Sequence, residues 1–394
     1  MYSPGGVIVD ISRRNREMLK REKRIFSPAI KQDLQIMWSF SNIANNLHDW
    51  LSKTFNPTMT LIIEMVIAGV AVIGLFAGLG LVLVIMERKV SAWMQIRLGP
   101  NRVGPKGMLQ SLADTLKLLV KEGLTPNGAD KFLFNLAPFI AMIVAMLLMA
   151  PIAFAKDFQL WDLNIGVLYV SAVSSLMVIS ILMAGWSSNN KYSLMGAMRS
   201  GAQIVSYELS AGLSVLAIVV LSGSLSISDI IHSQSDGWWI FKGHIPVLIA
   251  FVTFIIAVTA ETNRAPFDLA EAESELTAGF HTEYSGMKFA LFFLAEYVNV
   301  FIVCAIGATL FLGGWMPFHI GNWTGFNHVM DYIPSSIWFF GKTFFLIFVI
   351  MWFRWTFPRL RIDQLLNLEW KYLLPISMIN LLIVTAMAIL KWHF

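Results

Sequence analysis

Eight stretches of this chain, near residues 60–85, 133–155, 165–186, 203–222, 244–260, 287–312, 335–356 and 372–391, stay apolar for about the 20 residues a helix needs to cross a hydrocarbon core of roughly 30 Å. Lipid offers nothing to backbone N–H and C=O groups, so only helices and closed barrels can be built from such stretches. None alternates polar and apolar residues as a barrel strand does. The expectation is an all-α integral membrane protein with about eight transmembrane helices plus an amphipathic helix on the cytoplasmic face. A content of 56% hydrophobic and 14% charged residues agrees, since it cannot be hidden inside a water-soluble globule. The division that follows is a basic, amphipathic N-terminal extension over residues 1–57 and a multi-span membrane domain over residues 58–394.

Cys304 is the sole cysteine, which excludes an intramolecular disulfide and any cysteine-rich zinc or iron–sulfur centre within this chain. No Walker A sequence and no His-Glu-x-x-His is present, and Gly78-Leu79-Gly80 lies inside the first apolar stretch, where helix packing explains it better than a nucleotide does. No metal site and no nucleic-acid partner are expected.

Basic residues set the orientation. The connection between the first and second spans carries Arg88, Lys89, Arg97, Arg102, Lys106, Lys117, Lys121 and Lys131, and the one between the seventh and eighth carries Arg354, Arg359, Arg361 and Lys371. The positive-inside rule puts both in the cytoplasm, with Lys191, Arg199 and Arg264 on the same side by parity. The tail, with Arg13, Arg14, Arg16, Lys20, Arg21, Lys23 and Arg24, then falls outside, although most of these lie too far from the first span for the rule to act on them. It lacks the apolar core of a cleaved signal and reads as retained. Residues 34–55 could form an interfacial helix, or the whole extension could contact anionic lipid or another subunit.

After Glu87, Arg88 and Lys89 at the end of the first span, Gly99-Pro100 and Gly104-Pro105 force a loop. From Lys106 onward Leu109, Leu112, Leu116, Leu119 and Val120 recur at helical spacing opposite Asp114, Lys117 and Lys121, as in a helix lying on the membrane surface. Such a helix is either a shelf beside an opening from the lipid or an ordinary interfacial connector.

That connection, "GWSSNNKYSLMGAMRSGAQIVSYE" at 185–208, "AETNRAPFDLAEAESELTAGFHTEYSGMKFALFFLAEY" at 260–297 and "RWTFPRLRIDQLL" at 354–366 closely resemble the quinone-site membrane subunit of respiratory complex I. That subunit is called H in bacteria and subunit 1 in mitochondria. The similarity runs in order over residues 60–391 and leaves out the N-terminal extension. It implies a subunit of a multi-subunit NADH:quinone oxidoreductase that forms most of the quinone chamber and the first part of a proton path, with no complete redox site of its own. Ubiquinone or menaquinone would be the substrate. FMN and iron–sulfur clusters would belong to partner subunits, and the neighbours would be soluble quinone-site subunits, antiporter-like membrane subunits and the lipid bilayer. The bacterial cytoplasmic (inner) membrane is the expected location, with the mitochondrial inner membrane as the alternative.

The acidic segment is then where chemistry is expected. If it is helical, Asp268, Glu271 and Glu275 share one face, and repulsion plus partial burial would let one or more hold a proton near neutral pH. The bland reading is a solvated acidic loop. By resemblance the proton relay takes in Asp268, Glu271, Glu273, Glu275 and Glu283, with Glu208 at the start of the fourth span and Glu296 inside the sixth continuing it inward. Charge inside a span is expensive and usually faces a bundle interior or aqueous cavity. Arg88, Arg97, Arg102, Arg199 and Phe267 are the candidates for the quinone chamber, with Trp93 and Phe280 as further aromatics. Glu64 is left out of the relay. Two other functions stay open: the homologous membrane subunit of an energy-converting hydrogenase, and a self-contained ion transporter, for which no inverted repeat is visible.

Overall fold

The computed structural model describes residues 40–156, 158–235, 237–270, 273–319 and 323–390, the side chains of 40–44, 273, 274 and 324 excepted. Among these residues eight helices are long and apolar enough to cross a membrane. The chain is a multi-pass, all-α membrane protein. After α1 (Phe40–Thr54), the spans are α2 (Pro57–Met94), α4 (Lys131–Met149), α5 (Gly166–Ser187), α6 (Lys191–Ser222), α7 (His244–Glu261), α8 (Gly286–Phe311), α9 (Ser335–Thr356) and α10 (Ile362–Ile389), with the surface helix α3 (Gln110–Val120) between α2 and α4. The basic segment before residue 40 lies outside the described residues.

Local sequence explains most of the boundaries. Asp130 caps α4 by accepting from Phe132 N at 3.0 Å and Leu133 N at 3.3 Å, and Asn190 caps α6 by accepting from Tyr192 N at 2.8 Å. Gly223 closes α6 in the left-handed region at φ 69°. Several boundaries differ from expectation, and the fourth and eighth spans start earlier, at Lys191 and Ile362. Residues 87–94 contain no helix breaker, so α2 runs on past Arg88 and Lys89 to Met94. The second span ends at Met149 rather than 155, because Pro151 follows and residues 153–155 pair with 158–159 in a two-stranded hairpin.

The even connections and the odd connections gather at opposite ends. At one end Ser187 O accepts from Asp130 N at 3.1 Å, Ser285 Oγ from Leu124 N at 3.0 Å, and Pro266 O from Leu360 N at 3.0 Å. At the other, Ser335 Oγ accepts from Lys156 N at 3.3 Å and Leu225 O from Val167 N at 3.0 Å. This is the grouping that alternating spans require. The sixth span is the centre of the bundle: most of the side chains of α8, Cys304 included, are buried.

The surface helix has its expected polarity. Leu109, Leu112, Leu116, Leu119 and Val120 are exposed, while Asp114 turns inward to Arg88 at 2.5 Å and accepts from Gln110 Nε2 at 3.0 Å. An uncovered leucine face suits lipid, and its polar face is held by the end of α2.

Candidate functional site

Loop 262–285, following α7, carries the acidic segment and is seated by α6. Gly196 allows the approach: a Cβ there would lie 2.8 Å from Gly279 Cα, so any side chain would push away the turn Gly279–His281. Gln203 Nε2 donates to Ala260 O and to Phe267 O, each at 2.7 Å, and thereby fixes both sides of the loop's entry. Phe267 itself is buried against Tyr207, ring centroids 5.4 Å apart, and does not line an open passage within this chain.

The loop is not the helix on which one acidic face was expected. Among the described residues of the loop, 262–270 are turns and irregular backbone, and helix appears at Glu273–Leu276 with one 3-10 turn at Gly279–His281, so Asp268 and Glu275 do not share a helical face. Phe267 and Leu269, anchored in an apolar cluster with Tyr207 and Leu365, hold the backbone around Asp268 in a turn instead. Glu271 lies outside the described residues, and the side chain of Glu273 is likewise undescribed. The remaining acids separate onto different partners. Asp268 pairs with Arg359 at 2.8 Å, Glu275 with Arg199 at 2.7 Å, and Glu283 accepts from Asn190 Nδ2 at 2.5 Å.

Glu296 of the expected relay belongs to a group of charges whose other members sequence reasoning missed. Arg264 reaches Glu87 of α2 at 3.2 Å and Glu296 of α8 at 3.2 Å, and its guanidinium carbon lies 4.4 Å from the centre of the Tyr297 ring. Arg354 of α9 also pairs with Glu87. Glu87 and Arg264 are each only 8% exposed, which leaves them little water to replace a lost partner. Three spans and the acidic loop therefore meet on two guanidinium and two carboxylate groups. A cleft lined by Leu83, Glu87, Arg264, Tyr297, Ile350 and Arg354 opens beside them. A second cleft is lined by Glu296 together with Glu261, Thr262, Asn263 and Asn299 against an apolar wall that includes Ile181 and Phe292. A signal for this group was present, because Glu87 and Arg354 sit at the inner ends of spans and could not both be solvated.

Glu208 is about midway along α6 rather than at its start, since helix formers extend α6 back to Lys191. Its carboxylate accepts from Ser175 Oγ of α5, and the arginine expected beside it, Arg199, is engaged by Glu275 instead. The remaining arginines lie apart from this group: Arg88 pairs with Asp114, Arg97 donates to Gln95 Oε1 at 2.6 Å, and Arg102 is exposed. Trp93, Ile96, Leu98 and Met108 are exposed around them and make an apolar rim between α2 and α3. Glu64 pairs with His48 of α1 at 2.7 Å, which ties the extension to the first span.

Two titratable groups of the loop are tuned by burial. His281, edge-on to Phe280 at 4.9 Å and Phe289 at 5.4 Å, is lowered from 6.5 to about 4 and is neutral at physiological pH. Burial pushes the Tyr284 phenol up to about 12, and its O–H donates to Phe134 O at 3.1 Å.

Comparison with known proteins places this geometry in a family. The profile of the NADH dehydrogenase family matches residues 66–385. The NADH-quinone oxidoreductase subunit named H in Bacteroides fragilis is 57% identical over 358 residues, covering 91% of this chain and 100% of the relative. The protein of the same name from Carboxydothermus hydrogenoformans is 48% identical over 346 residues, 87% of this chain and 95% of the relative. That from Brevibacillus brevis is 46% identical over 327 residues, 83% and 94% respectively. With arginine-tied carboxylates at the inner ends of its spans and these relatives along nearly all of its length, the chain belongs to the NADH dehydrogenase family.

Proposed function

We propose that this chain is the membrane subunit of a proton-pumping NADH:quinone oxidoreductase, in which it walls the quinone chamber and carries the first part of the proton path. The observation that carries this reading is the buried group Arg264–Glu87–Glu296–Arg354. Its two cations and two anions balance, so a change of protonation on either carboxylate leaves a net charge where little water can screen it. Reducing a quinone to a quinol consumes two electrons and two protons. Loss of protons from the acids of loop 262–285 would alter the field on Arg264, which sits in that loop and also holds two spans. The same cation thus links proton loss at the loop to the packing of α2 and α8.

The apolar rim of Trp93, Ile96, Leu98 and Met108 suits a long quinone tail arriving from the lipid, and Arg97 and Arg102 beside it suit the acidic face of a soluble partner. The headgroup, ubiquinone or menaquinone, would be reduced from iron–sulfur clusters held with FMN on those partners, since one buried cysteine cannot ligate a cluster. Antiporter-like membrane subunits would take up the proton signal, and the membrane would be the bacterial cytoplasmic one. The names of the relatives favour this reading over the membrane subunit of a hydrogenase. Purification of the tagged chain in mild detergent tests it. Antiporter-like subunits and a flavin-containing NADH module are expected to copurify. A nickel–iron subunit without an NADH module would overturn it.

A further inference from the structure

A second polar stripe runs down α6 and serves none of the contacts of the arginine group. Ser200, Gln203, Tyr207, Ser210 and Ser214 recur at helical spacing and are all at most 2% exposed. Its upper end is tied to the acidic loop, where Gln203 Nε2 reaches Asn263 Oδ1 at 3.2 Å and Ser200 Oγ reaches the same oxygen at 3.3 Å. Deeper, the Tyr207 O–H donates to Leu365 O at 3.0 Å and the Ser210 O–H donates to Glu369 Oε1. Beyond that, Ser214 Oγ and Thr253 Oγ1 of α7 share a hydrogen bond of 2.7 Å.

Glu369 is the unusual member. It is 0% exposed, no ion pair reaches it among the described residues, and its Oε2 has no hydrogen-bond partner there. It sits in the wide turn Glu369–Leu373, where Leu374 N–H reaches back five residues to Glu369 O, just before Pro375, which has no N–H to give. A buried carboxyl used only for packing would be cheaper as an amide or an apolar residue. The titratable group facing it from α6 is Tyr207, and α7 carries no charged side chain between His244 and Glu261. Asp363 and Lys371 flank it on α10 itself. Nothing positive meets it among the described residues, so the site accommodates a neutral acid, with the proton on the unpartnered oxygen.

We propose that Glu369 is a proton-binding site of the membrane interior that unloads and reloads during turnover, on the side of α6 opposite Glu208. Residues 208 and 210 are about 200° apart around a helix of 3.6 residues per turn, so α6 presents its own acid toward α5 and receives the acid of α10 on the opposite side. Unloading moves the proton from Oε2 to water entering along the stripe and leaves the carboxylate with the Ser210 hydroxyl; reloading reverses this, and no electron is moved. The proposal rests on the chain being part of a redox-driven proton pump.

Infrared difference spectra of the assembled complex in membranes, recorded before and after NADH addition in H₂O and D₂O, test it. The expected result is a deuterium-sensitive carboxylic C=O band that is lost in Glu369→Gln, shifted in Glu369→Asp and shifted but retained in Ser210→Ala. A Glu369→Gln complex with the wild-type difference spectrum would overturn the proposal. If that variant fails to assemble, an unshifted spectrum in Ser210→Ala would do so. NADH:quinone reductase activity of the wild type is read in the same sample, so a complex that reduces quinone without a Glu369 band refutes this site alone, and one that reduces no quinone refutes the parent reading.

Discussion

The two ends of the bundle hold their cations in different ways. At the end bearing the acidic loop, Arg264, Arg354 and Arg359 are held by Glu87, Glu296 and Asp268. At the opposite end Lys342 of α9 donates to Leu312 O at 2.6 Å, Gly314 O at 2.9 Å and Met316 O at 2.6 Å, with its ammonium 4.2 Å from the centre of the Trp238 ring. Three N–H donors meet three carbonyls, so that end is a clamp without a carboxylate on the connection that follows α8. At the arginine end the partners are carboxylates, so a proton gained by an anion there leaves its cation uncompensated. The same α8 therefore joins an end held through carbonyls to one held through carboxylates.

Arg264→Met should break this contrast most. It leaves Glu87 and Glu296 buried without their shared cation, a loss of about 3–5 kcal/mol when one partner of a buried pair is removed. NADH-driven quinone reduction should fall at least about tenfold, since each 1.4 kcal/mol is a factor of ten. NADH oxidation by an artificial acceptor, which draws electrons upstream, should persist in the same membranes. Near-normal quinone reduction in the assembled variant would remove the arginine group from the coupling path.

Lys342→Met should damage the other end in a different manner. Three carbonyls lose a charged donor, at about 1.5–3 kcal/mol for a hydrogen bond to a charged group. Thermal stability of the complex should drop, while the pH profile and turnover of the complexes that survive should match wild type. A shifted pH profile would show that this end, too, responds to protonation.

Glu208 sharpens the comparison from inside the bundle. If it relays protons, Glu208→Asp should keep much of the turnover and Glu208→Gln should lose most of it. If it serves only to accept from Ser175 Oγ, Gln should be the milder change, because it preserves length and an acceptor oxygen. Quinone reductase and pumping of equally assembled complexes on native gels decide between the two orders.

The smallest effect concerns His281. Its value is about 4 in the fold against 6.5 ordinarily, so between those limits the unfolded loop binds a proton that the folded loop refuses. Acidification from pH 6.5 toward 4 should therefore remove stability from loop 279–285, with full stability above 6.5. Hydrogen exchange of that loop as a function of pH should show the slope, and His281→Gln should flatten it.

Some of the fold and site is legible without coordinates. Apolar length alone locates the spans, and Leu109, Leu112 and Leu116 announce the surface helix through their period. Proline places the loop at Gly99-Pro100, but apolar length overruns Pro151 and makes the second span too long. The four-residue helix Glu273–Leu276 shows the limit of extrapolating a face: acids at helical spacing share one only where the backbone between them is a single helix, and around Asp268 it is a turn.

By itself the sequence determined the solvent, the number of crossings and which connections share an end, because these depend on local hydropathy, length and parity. Only the tertiary structure decided which charges meet. Glu87, Arg264, Glu296 and Arg354 are scattered over four segments, and Glu369 finds Ser210 across the bundle. Such pairings depend on how packed helices are rotated against one another, and that rotation is set by long-range contacts, among them the close approach at Gly196, which no local pattern records.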